Sequence, residues 1–138
     1  MANTLYDSAR AAFAKGEIDW INDDIRVVLC DVGYVFSAAH ASMADIALGD
    51  RVPASSTGVA LTTQAVETNG AVNADDATFT SVTGDQVKSI VLYKYVDATP
   101  ANCPLIAYLD SATGLPITPN GGDIIITWDN GTNKIFRL

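Results

Sequence analysis

Apolar residues in this chain come in short runs broken by Gly, Pro, Asn and Asp, the pattern of strands joined by turns rather than of long helices. Residues 25–32 are rich in β-branched side chains with little polarity between them, which predicts a strand in the interior of a sheet. Residues 86–96 alternate. Val87, Val91, Tyr93 and Tyr95 fall on one side with Ser89, and Ile90, Leu92 and Val96 fall on the other with Lys88 and Lys94. Both sides are mixed, so this strand is expected to meet two environments. Residues 104–109 predict another strand, and 58–82 several short ones with Thr at alternate positions, interrupted at Asn69-Gly70 and at 73–76. Residues 123–138 read as strand, tight turn, strand. Asp129-Asn130-Gly131 supplies residues that tolerate positive φ, as a two-residue hairpin requires, so the two flanks are expected to pair with each other and to tie the last residues into a sheet.

Helical spacing is confined to residues 3–15, where Leu5, Ala9, Ala12 and Phe13 fall on one stripe. Asn3 or Thr4 can cap this helix and Gly16 can end it. The acidic connector at 17–24 follows, with Ile18, Trp20 and Ile21 expected to pin the helix against the sheet. Residues 33–56 lack a clear period and carry one expected helical turn near 42–47. Small residues there, including Ser37, Ala38 and Ala41, suit close packing against a neighbouring subunit or a loop that covers the sandwich edge. Pro116 and Pro119 keep the connection at 110–122 irregular. The expected architecture is one mainly β domain over 1–138. It is a β-sandwich or partly open barrel of about seven to nine strands, with a short N-terminal helix within 1–16 and a β-rich body at 17–138.

Composition narrows the function classes. A length of 138 residues is enough for one core without metals or disulfides. Sixteen acidic against eight basic residues give a net charge of -8, with the basic ones scattered along the sequence, which argues against direct nucleic-acid binding. Only 17% of residues are charged, a surface that suits cover by partners. The sequence has no apolar run of membrane-spanning length and no export signal, so synthesis in the cytoplasm without membrane association is expected. Cys30 and Cys103 match no zinc or redox spacing and are read as reduced small hydrophobes.

Reaction chemistry has little to work with. Asp23-Asp24, Asp75-Asp76 and the pair Asp110 and Asp123 are candidate paired carboxylates, read instead as turn caps and solvated corners. Asp19, Asp23 and Asp24 lack the glycine and distal glutamate of a calcium loop. His40 is the single histidine and has no evident nucleophile beside it. No nucleophile elbow, phosphate-cradling loop or zinc-protease motif occurs. The chain is therefore expected to be no enzyme and to hold neither a cofactor nor a metal. Its aromatic residues suit a core or a subunit contact, with Tyr34, Phe36, Met43, Tyr93 and Tyr95 as the candidate interface.

Several stretches carry a family resemblance: Met1-Ala-Asn-Thr-Leu-Tyr-Asp, Gly16-Glu-Ile-Asp-Trp, residues 25–31, Phe79-Thr-Ser-Val-Thr-Gly-Asp-Gln86, and 105–123 with the run after it. In these the chain resembles small structural proteins of tailed bacteriophages and prophages, with 33–57 left unmatched. The resemblance implies a virion component, most of all a head-decoration or capsid-cement protein. Such a protein would be made in the host cytoplasm and would sit on the capsid surface as a homo-oligomer, a trimer at local threefold axes, bridging neighbouring copies of the major capsid protein. A tail or baseplate subunit and a carbohydrate-binding module on the virion, using the Tyr row and acidic turns with calcium, are the alternatives.

Overall fold

A computed structural model of the chain describes residues 3–111 and 114–138. Met1, Ala2, Ala112 and Thr113 lie outside the described residues, and with them the start of the expected 1–16 segment and the middle of the 110–122 connection. The fold is mainly β, built from antiparallel sheets and one α-helix, in the form of an open sandwich.

The principal sheet has six strands, β1 (Thr4–Leu5), β2 (Ile25–Cys30), β3 (Arg51–Val52), β4 (Val59–Ala60), β8 (Ser89–Lys94) and β9 (Leu105–Leu109). They run in the order β1-β9-β8-β2, and β3 and β4 share the far edge of β2, at Leu29–Cys30 and Arg26–Val27 respectively. Two small sheets face it. One pairs β7 (Ala77–Phe79) with β10 (Ile124–Ile126); the other orders β11 (Phe136–Arg137), β6 (Ala71–Asn73) and β5 (Ala65–Val66).

β2 and β8 lie at the centre, and their alternation supplies two cores. Ile25, Val27, Leu29, Ile90 and Leu92 face the small sheets and pack with Val72, Phe79, Ile124 and Ile126. Val28, Cys30, Val91 and Tyr93 face the other way and are covered by Tyr34, Met43 and Ile46 of the long irregular segment and by Tyr6 and Ala9. The mixed sides of 86–96 thus reflect a strand buried on both faces. A register shift between Leu92 and Tyr93 leaves Ile106 as an extra residue on β9, so Ile106 and Ala107 both face the main core while Leu105 and Tyr108 face the second.

Three sequence expectations need correction. The helix α1 runs Asp7–Lys15, not from residue 3, and its N-cap is Tyr6 in extended conformation without a side-chain cap; Gly16 closes it in the left-handed region, as expected. Leu5 and Tyr6 enter opposite cores, a period of two that only a strand provides, so Thr4–Leu5 pairs with β9 instead of starting the helix. Ile18 and Trp20 are buried as expected, but Ile21 is exposed. The terminal hairpin does not form either: β10 pairs with β7 and β11 with β6, and the left-handed residue between them is Lys134 rather than Gly131. Trp128 holds that crossing, its indole N–H donating to Asp75 O at 3.0 Å, and Leu138 N–H donates to Gly70 O at 3.1 Å.

Candidate functional site

The residues read from sequence as an interface do come together. Tyr34, Met43 and Tyr93 belong to the second core, and Phe36 and Tyr95 pack against it. Their area is spent inside the chain. Tyr34, Met43 and Tyr93 are buried, while Phe36 and Tyr95 are half-buried at the rim, the latter with the Arg26 guanidinium 3.7 Å over its ring. The strand that carries Tyr93 leaves no open face there, because every residue from Ser89 to Tyr93 is buried. A stacked sugar has no Tyr row to lie on.

Polar bonds fix this cluster from within. Tyr6 and Tyr34 share a hydroxyl bond of 2.7 Å, and the Tyr34 hydroxyl lies 2.9 Å from His40 Nδ1. Burial pushes the Tyr6 phenol far above its ordinary value and the Tyr34 phenol up to about 12. Arg51, itself buried, donates from Nη2 to Met43 O at 3.0 Å and Ile46 O at 3.1 Å, and from Nη1 to Ser56 O at 3.3 Å. A cation thus staples the irregular segment 43–56 to the sheet through three carbonyls. The capping box at Ser42 adds to this: Asp45 Oδ2 accepts from Ala41 N–H at 2.8 Å and Ser42 N–H at 3.1 Å, and those bonds hold its carboxyl below the usual range.

The other candidate clusters have local roles. Asp19 accepts from the Ile21 and Asn22 amides, Asp23 meets Lys94 at 3.1 Å, and Asp24 meets Arg26 at 3.0 Å. Among the described residues no three His, Cys, Asp or Glu side chains gather as a metal site. Cys30 and Cys103 are free and buried, with the Cys30 thiol pushed up to about 12 by burial. No described helix is long and apolar enough to cross a membrane.

What remains open is a groove of about 1060 Å³ where the two layers of the sandwich part. Its floor is main core: Leu5, Ile90, Ala107, Leu109 and Ile126. Each of the three sheets ends here with an edge strand, β1 from the large sheet and β10 and β11 from the small ones. The pairing phase of β1 sharpens this. Tyr6 N–H donates to Ile106 O at 3.1 Å, so in the antiparallel alternation the Leu5 N–H and C=O point away from β9. Among the described residues the one partner there is the Thr4 hydroxyl, 3.3 Å from Leu5 O. Apolar side chains stand at the rim, with Ile125 60% and Leu138 58% exposed. Trp128 and Phe136 are half-buried beside them, Phe136 edge-on to Trp20 at 5.5 Å.

The side-chain charge of the groove opposes that of the chain. Among the described side chains that line it, Arg10, Lys134 and Arg137 face one acidic group, Asp129, on a protein of net charge -8. None of these cations makes an ion pair among the described residues; Arg137 Nε donates to Asn69 O at 3.0 Å, and Lys134 reaches Asn130 only at 3.4 Å or longer. Sequence reading missed this site because Arg10, Lys134 and Arg137 are far apart in the chain. The edge strands were legible, but their convergence was not. No protein-family model matches the chain, and no curated protein matches it at a significant level.

Proposed function

We propose that this chain is a non-enzymatic structural subunit of a bacteriophage particle, a head-decoration protein that bridges neighbouring major capsid proteins on the capsid surface. The observation that carries the reading is the groove, where all three sheets leave an edge strand over an apolar floor. Such a seam grips polypeptide and offers no converging acid, base or nucleophile. The resemblance of the N-terminal and 105–123 stretches to phage structural proteins supports the choice of particle, and it supports a homo-oligomer, a trimer, as the bound form.

The mechanism is noncovalent stapling. A body braced by two cores binds the assembled lattice and not its opened form, so occupancy at a hundred times Kd adds about 2.7 kcal/mol to the free energy of opening at each site. An oligomer that engages several capsid subunits at once gains from effective concentration, so no single contact has to be tight. The test is thermal release of DNA from heads made without this chain, with and without purified protein added back. Earlier release that add-back reverses is expected. Release at an unchanged temperature, or labelling of tails instead of heads, overturns the head assignment.

A further inference from the structure

We infer that the groove is a strand-accepting site whose occupant is an extended segment of a partner protein, with apolar residues alternating with acidic ones. It rests on the proposed structural role only in supposing that a neighbour is gripped. Three observations carry it. Among the described residues the Leu5 amide on the edge of β1 has no partner, and β10 and β11 are each paired on one side alone, so an added strand finds backbone donors and acceptors. An extended segment turns alternate side chains to one face, which matches the apolar floor of Leu5, Leu109 and Ile126 below and open solvent above. The occupant's charge follows from Arg10, Lys134 and Arg137, which make no ion pair among the described residues and outnumber the one acidic side chain, Asp129.

A nucleic-acid strand fits less well. Three cations are few for a phosphate backbone, and the two aromatic rings of the lining are engaged elsewhere, Trp128 with Asp75 O and Phe136 edge-on to Trp20, rather than standing as a row for stacked bases. A second copy facing groove to groove would set the same cations against each other. An acidic segment of a different protein meets neither objection.

The probe is a blocked nine-residue peptide alternating valine with glutamate, compared with its valine–lysine counterpart. Both are titrated onto the full chain by calorimetry, with amide exchange followed over Thr4–Leu5 and Ile124–Ile126. The acidic peptide is expected to bind at least about tenfold more tightly, to weaken with added salt, and to slow exchange at Leu5. The variant R10E/R137E changes two exposed side chains and is expected to keep the wild-type circular dichroism while losing about tenfold in affinity. Equal binding of the two peptides, unchanged exchange at Leu5, or equal competition by a single-stranded DNA oligomer overturns the inference. So does a dimer of the chain alone that R10E/R137E dissociates. On heads lacking the chain, equal add-back by wild type and R10E/R137E sinks the groove and leaves the capsid role standing. Failure of the wild type to bind heads sinks the capsid role and leaves the peptide result to judge the groove.

Discussion

Alanine substitution along β8 separates a strand buried on two faces from one with a free face. Val91 and Leu92 both have zero exposure, yet they enter different cores, Val91 under Tyr34 and the 43–46 turn and Leu92 against the small sheets. Leu92→Ala is expected to cost about 2–5 kcal/mol through lost transfer and the cavity left behind. Val91→Ala removes about two carbons, roughly 1.6 kcal/mol of transfer, and the cavity brings it to about 2–3 kcal/mol. For 138 residues the entropy of unfolding is about 0.3 kcal/mol per kelvin, so each kcal/mol lowers Tm by about 3–4 °C. Both variants should therefore melt about 7 °C or more below wild type. Urea unfolding with unchanged m measures the loss directly. If Val91→Ala falls below about 0.5 kcal/mol while Leu92→Ala exceeds about 2, the second core is loose and the irregular segment does not cover the sheet.

Gly58→Ala should be among the most damaging changes, since φ is +75° there and a Cβ would collide with the Val27 carbonyl in the β2–β4 contact; a loss above about 3 kcal/mol is expected by urea unfolding, and a loss under about 1 kcal/mol would refute the packing. Arg51→Met leaves the Met43, Ile46 and Ser56 carbonyls without a donor, for a loss of about 2–4 kcal/mol and faster amide exchange across 43–56, and Arg51→Lys should not restore what a forked donor supplied. The fold should fail in alkali. Tyr34, Tyr93 and Cys30 are pushed up to about 12, and Tyr6 higher, all by burial first. Between the ordinary values of 9 to 10 and about 12 the native chain keeps protons that the unfolded chain gives up, so stability falls as pH rises, by up to about 1.4 kcal/mol per unit for each group. Tyr6→Phe should flatten that slope in denaturant titrations from pH 9 to 12; an unchanged slope would show that Tyr6 is not withheld from solvent.

Much of the β content was legible because β-branched runs and turn residues act locally. The apolar run at 25–32 delivered β2, the alternation at 86–96 delivered β8, and Gly16 ended the helix at the left-handed position that favours glycine. Pairing was less legible, because a strand's partner is fixed by the whole core. Asp129-Asn130-Gly131 looked like a hairpin turn, but Ile135 enters the main core and Trp128 bonds to Asp75 O, and these two anchors carry β11 past β10 to β6. Leu5 and Ala9 share a helical spacing by coincidence. The tyrosines were recognised as apolar surface to be covered, while the cover, residues 34–46 of the same chain, had no period to announce it.

Edge strands that end together are a hazard, since unpaired backbone invites copies of the same chain to add to one another. Here the three edges are very short, two or three residues each, and the groove they border is cationic. Two copies aligned edge to edge would oppose Arg10, Lys134 and Arg137 of one to the same residues of the other, and at separations inside the roughly 8 Å screening length that repulsion is felt. The chain as a whole is acidic, so the cations of this groove that would attract an acidic strand also oppose its pairing with itself. In the proposed role on a capsid lattice, that arrangement would keep the edge free for a different chain instead of another copy of this one.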